Sequence, residues 1–140
     1  MNNKEFYERE YLINPNLQRP LPLRENVKVA ILASGIGSNF EALILSVIKK
    51  ELNITIAVLI VNKSNCKAIE KAQRYSIPYE IIDHTLFSSR EDFDAQIVNK
   101  LQEYRTDALI MAGWMRIATD VLIEAFPKRI INVHPSLLPS

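Results

Sequence analysis

Three short stretches of this chain are apolar at nearly every position, and no other feature limits its fold so strongly. They are Val27 to Ala33 (VKVAILA), Ile54 to Val61 (ITIAVLIV) and Asp107 to Ala112 (DALIMA). A strand wetted on one side alternates apolar and polar residues. A run without alternation has both faces covered, as in a parallel sheet with helices on either side. Two further strands are predicted: a short one at Tyr79 to Ile82 after Pro78, and Arg129 to His134.

The intervening sequence is helical in pattern. Phe40, Leu43, Ile44, Val47 and Ile48 recur at i, i+3, i+4, i+7 and i+8, one apolar stripe. Lys67 to Tyr75 carries Ala68, Ile69 and Ala72 on one side. Ser88 and Glu91 predict a capping box opening a helix through Phe93, Ile97, Leu101 and Tyr104, with Asp83 to Ser89 a loop before it. Thr119 or Asp120 is expected to cap a short helix running to Phe126 before Pro127. Strand and helix alternate throughout. The expected fold class is therefore α/β, a Rossmann-like parallel sheet of about five strands flanked by helices.

With 140 residues the chain has room for one core. Residues 1–26, with Pro15, Pro20 and Pro22 and no apolar period, read as a polar N-terminal arm, and residues 27–140 as the domain. A net charge of +1 provides no field to draw nucleic acid or an anionic membrane. No apolar run approaches the ~18 residues of a membrane helix, and the start MNNKEFYEREYL lacks the apolar core of a signal peptide. A cytoplasmic location is expected. Cys66 is the single cysteine, so no intrachain disulfide forms, and at the start of a helical run it reads as a small packing residue.

Between the first strand and the first helix lies Ser34-Gly35-Ile36-Gly37-Ser38-Asn39. Glycines let a ligand approach backbone closely, and a helix start offers unpaired N–H groups and a positive dipole end. Together these suit a phosphate. A dinucleotide site would need a third glycine where Phe40 stands and a carboxylate after the second strand, where Asn62 and Lys63 stand. A nicotinamide cofactor is therefore disfavoured, and no Walker lysine follows. A single terminal phosphate, on a sugar phosphate or mononucleotide, fits better.

At the far end, Asn132 and His134 sit two apart in a predicted strand, so they share a face, and Pro135 ends the ladder. Asn can donate to a developing oxyanion and His can carry a proton.

Three motifs, SGIGSNFEAL at Ser34 to Leu43, AGWMRI at Ala112 to Ile117 and NVHPSLLP at Asn132 to Pro139, closely resemble the phosphoribosylglycinamide formyltransferases of purine synthesis. The SSREDFD stretch at Ser88 to Asp94 is similar to the family's too. The resemblance implies transfer of a formyl group from 10-formyltetrahydrofolate, as co-substrate, to the amine of glycinamide ribonucleotide, without a metal. It implies small-molecule partners only and says nothing of oligomeric state. Gly37, Ser38 and Asn39 match the loop that binds the substrate phosphate. Arg90 matches a folate-contacting arginine, and Met115, Arg116, Ile117 and Ala118 match the segment lining the pterin pocket. Asn132, which also borders the folate, and His134 match the catalytic pair.

Relatives that formylate other amines or hydrolyse formylfolate share the Asn-x-His element and usually lack the Ser-Gly-x-Gly-Ser-Asn loop. Ile36 stands where the family often has a polar residue. The family continues past the position of Ser140 with a catalytic Asp and a folate loop, so the chain is expected to be the N-terminal part of such an enzyme. A phosphate-binding remnant without turnover, or a related folate-dependent formyltransferase or hydrolase, is the alternative.

Overall fold

The computed structural model describes residues 26–133. The predicted arm, apart from Asn26, lies outside the described residues, as do His134 and Pro135.

Five strands form one sheet: β1 (Val27–Ala33), β2 (Ile54–Val61), β3 (Tyr79–Ile81), β4 (Ala108–Ala112) and β5 (Ile130–Val133). Their order is β3-β2-β1-β4-β5, and every pairing is parallel. The helices are α1 (Ser38–Ile48), α2 (Ala68–Arg74), α3 (Arg90–Glu103) and α4 (Asp120–Ala125), with a 3₁₀ turn at His84–Leu86. The expected α/β parallel sheet is what the chain forms.

Two cores cover the two faces of the sheet. On one, Phe40 and Ile44 of α1 and Ala68, Ile69 and Ala72 of α2 pack on Val29, Ile31, Leu59 and Val61. On the other, Phe93, Ile97 and Leu101 of α3 and Leu122 near α4's start pack on Ala30, Leu32, Ile60 and Leu109. This double cover is why the central strands do not alternate. Fully burying each large side chain contributes about 1.5–3 kcal/mol. The β1–β2 register shifts between Val29 and Ala30, which pair with Ile56 and Val58. Ala57 is the extra residue, and it lets Ile56 and Leu59 face the same core despite their odd spacing.

Several local expectations shift. The helix start at Ser88 and Glu91 moves by one residue: Ser89 is the N-cap of α3, and its Oγ accepts from the Asp92 N–H at 3.0 Å. Ser88 instead donates to the Asp92 carboxylate at 3.1 Å. Thr119 does stand at the N-cap of α4, but its side chain does not cap the helix. Ile48 is 58% exposed, so the α1 stripe is buried only toward its start. Asp83 accepts from the Thr85 N–H and hydroxyl at 2.9 and 2.7 Å, which folds part of the predicted loop into the 3₁₀ turn.

Candidate functional site

The chain leaves β1 toward β2 on one side and later places β4 on the other side of β1. In open parallel sheets this reversal opens a crevice at the strands' C-terminal ends, where ligands bind. The loops after β1 and β4, residues 34–37 and 113–119, flank that crevice. Asn132 lies one strand further on, paired with Met111, on the same face of β5 as Ile130.

The first loop is fixed from several sides. Ser34 is buried, and its N–H donates to the Gly113 carbonyl at 3.1 Å. The Cys66 thiol donates to the Gly35 carbonyl at 2.9 Å. Cys66 is thus a buried packing residue, as its position suggested, and also a tether for the loop. Gly37 has φ +88°, and a Cβ there would lie 2.9 Å from the Cα and Cβ of Ala68. Only glycine combines that backbone with so close an approach to α2.

Gly37 is also the N-cap of α1, and no side chain caps the helix. Its 11 residues therefore present their first N–H groups and positive dipole end to the crevice. Ser38 is exposed there and Asn39 is buried. Glu41, in the first turn, faces away into α2. It takes Lys71 at 3.0 Å, Arg74 at 3.3 Å and the Tyr75 hydroxyl at 3.1 Å. The Lys71 and Tyr75 hydrogen bonds hold its carboxyl below the ordinary value.

The second loop alternates buried and exposed side chains. Trp114 is buried, its ring stacked on Phe93 at 6.0 Å and 6°. Met115 is 78% exposed and Ile117 63%, with Arg116 and Ala118 half-buried between and beside them. Trp114 is thus core and Met115 is not. Gly113, at φ +77°, turns the chain out of β4. Arg90 is the exposed first residue of α3, after the β3 end of the sheet.

Topology therefore brings Gly37, Ser38, Asn39, Met115, Arg116, Ile117, Ala118, Asn132 and the Arg90 helix start to one edge of the sheet. His134 lies outside the described residues.

Three participants were assigned no role from the sequence, although Ser34 and Asp94 stand inside the quoted motifs. The Ser34 hydroxyl accepts the Met115 N–H at 3.0 Å. Asp94, 1% exposed, accepts the Thr119 N–H and hydroxyl, both at 2.7 Å. Burial pushes the Asp94 carboxyl above its ordinary value, against the pull of those two bonds. Asn62 is buried at the end of β2, with its amide nitrogen 3.2 Å from His84 Nδ1. Asn62 Oδ1, Trp114 Nε1 and Arg116 Nε are buried without a hydrogen-bond partner among the described residues.

A profile of the formyl transferase family matches residues 27–140. The chain belongs to that family. Among similar proteins, the trifunctional purine biosynthetic protein adenosine-3 of Gallus gallus is 40% identical over 114 residues, which is 81% of this chain and 11% of that protein. The phosphoribosylglycinamide formyltransferase of Bacillus subtilis is 34% identical over 113 residues, 81% of this chain and 58% of that one. Among solved structures, glycinamide ribonucleotide transformylase 1 from Symbiobacterium toebii superposes with a TM-score of 0.76 at 33% identity, covering 82% of this chain and 54% of that one. Phosphoribosylglycinamide formyltransferase from Bacillus halodurans gives 0.75 at 38%, covering 81% and 58%. This formyl transferase chain thus spans a little over half of the single-activity relatives it matches.

Proposed function

We propose that this chain is the N-terminal part of a phosphoribosylglycinamide formyltransferase, carrying the ribonucleotide site and one side of the folate site. The observation that carries this reading is the uncapped N-terminus of α1, beside the 115–118 segment with its exposed Met115 and Ile117, across one sheet crevice. In this reading Gly37, Ser38 and Asn39 hold the phosphate of glycinamide ribonucleotide. Arg90 and Met115 to Ala118 meet 10-formyltetrahydrofolate.

The substrate amine attacks the formyl carbon, and the bond from that carbon to the folate nitrogen breaks. Asn132 donates to the oxyanion that forms between these events, an interaction typically worth about 10²–10³ in rate. His134 moves the proton lost by the amine to the departing folate nitrogen, worth about 10²–10⁴. The chemistry requires no metal. Small-molecule substrates and a cytoplasmic location follow from the same reading.

The test is a chimera in which residues 27–140 replace the matching part of the Bacillus subtilis enzyme. Formyl transfer from 10-formyltetrahydrofolate to glycinamide ribonucleotide is expected to be in the ordinary range of about 1–10³ s⁻¹. The isolated 140-residue chain is expected to be several orders of magnitude slower. A folded chimera that binds the ribonucleotide and transfers nothing would favour the phosphate-binding remnant instead.

A further inference from the structure

Residues 113–119 form no regular element, yet they carry the exposed Met115 and Ile117. Among the described residues the N–H groups of Arg116, Ile117 and Ala118 donate to no acceptor, so no hydrogen bond from these three fixes its path, although Trp114 and Ala118 pack on the core. The hydrogen bonds that hold it lie at its two ends. At one end Met115 donates to the Ser34 hydroxyl across 81 positions of sequence. At the other, Thr119 donates twice to Asp94.

Both acceptors are buried, so water competes poorly for these bonds. Bonds to a carboxylate are about twice as strong as neutral ones. From Asp94, one helical turn back along α3 leads to Arg90, at i−4 on the same side of the helix. Ser34 in turn begins the loop that leads to Gly37 and Ser38, and its own N–H holds Gly113.

We infer that Ser34 and Asp94 are positioning residues: they hold the 115–118 segment from both ends, Asp94 registering it against the Arg90 helix and Ser34 tying it to the phosphate loop. The inference rests on the formyltransferase reading of that segment. It predicts an asymmetry that a general stability role does not. Loss of the Asp94 end weakens folate binding alone, whereas loss of the Ser34 end weakens both ligands.

The 140-residue chain reports this directly, because Trp114 is its single tryptophan and adjoins the segment. Titration with 10-formylfolate is followed by Trp114 fluorescence, and titration with glycinamide ribonucleotide by amide chemical shifts. Asp94→Ala is expected to weaken 10-formylfolate about tenfold or more, the scale of a lost bond to a charged group. Ribonucleotide affinity should stay within about twofold. Asp94→Asn should recover most of the folate affinity, because its amide oxygen still accepts from Thr119. Thr119→Val, which keeps the backbone donor, should give a smaller folate-only loss, and it serves if Asp94→Ala does not fold. Ser34→Ala should weaken both ligands. Amide exchange at Thr119 should rise in the Asp94→Ala protein, which loses the acceptor of that N–H.

Unchanged folate affinity and exchange in the folded variants would overturn the inference. So would equal weakening of both ligands by Asp94→Ala or Thr119→Val. If the chain by itself binds 10-formylfolate too weakly to titrate, the same variants are read in the Bacillus subtilis chimera, and a chimera that binds ribonucleotide but not 10-formylfolate would sink the folate reading itself, and the positioning role with it.

Discussion

Gly37 and Ala68 meet so closely that no side chain fits between them: a Cβ on Gly37 would lie 2.9 Å from the Cα and Cβ of Ala68. The β1–α1 loop and α2 are therefore one packed unit. Gly37→Ala should cost about 2–4 kcal/mol, from the left-handed backbone and the overpacking together. Ala68→Gly removes the obstructing Cβ, so the double variant should be more stable than the sum of the two changes by about 0.5–3 kcal/mol. Urea unfolding of the four proteins measures this. Strict additivity would mean that the Ala68 Cβ adds no cost beyond that of the Cα, which remains in both proteins. It also follows that lost ribonucleotide binding in a Gly37 variant would not by itself identify the phosphate site.

Ser38 offers a cleaner probe, being exposed in the first turn of α1. Ser38→Asp places a negative charge at the positive end of the helix dipole and should stabilise the chain by about 0.3–1 kcal/mol. The same charge repels a phosphate at that helix end. A higher melting temperature together with lost ribonucleotide binding is expected. Retained affinity would move the phosphate away from α1.

Two carboxylates should shape the acid limb of stability in opposite directions. Glu41 is held below its ordinary value of 4.5 by the Lys71 and Tyr75 hydrogen bonds. Its contribution is present above that value and lost as pH falls through the lower folded value. Asp94 is raised above its ordinary 3.8 by burial. In this case the folded chain holds the proton more tightly than the unfolded one, so stability declines as pH rises from about 3.8 through the raised value. Urea midpoints between pH 3 and 7 should show Glu41→Gln less sensitive to acid than wild type. The stability of Asp94→Asn relative to wild type should grow with pH across the lower part of that range. Parallel curves for all three proteins would contradict both assignments.

Asn132→Ala in the Bacillus subtilis chimera should lower kcat by about 10²–10³ with little change in KM, because the oxyanion exists only in the transition state. A change in KM alone would mean that Asn132 merely positions substrate.

The sheet was legible because both of its faces are covered: VKVAILA, ITIAVLIV and ALIMA admit few other readings. Of the candidate site, the glycine loop running into a helix start was legible, because glycine spacing and a helix start are local features. The site's internal bracing was not. Asp94 follows Phe93 on the edge of an apolar stripe, where an acidic residue reads as solvated, and its partner Thr119 lies 25 positions away. Thr119 looked like a helix cap, and the longer-range bond to Asp94 claimed its hydroxyl. The α3 start moved to Ser89 because two adjacent serines can each reach Asp92, and local sequence does not rank them. Ile48 has the right period but lies beyond the sheet's cover, and no periodicity records where a neighbouring layer ends.

The most direct measurement of the central claim is amide chemical-shift mapping on the 140-residue chain, which detects even weak binding. Glycinamide ribonucleotide is titrated in, and glycinamide riboside, lacking the phosphate, is the control. Shifts should concentrate at Gly35, Gly37, Ser38 and Asn39 with the ribonucleotide and be absent there with the riboside. Equal shifts with both ligands, or ribonucleotide shifts confined to residues away from the β1–α1 loop, would contradict the account.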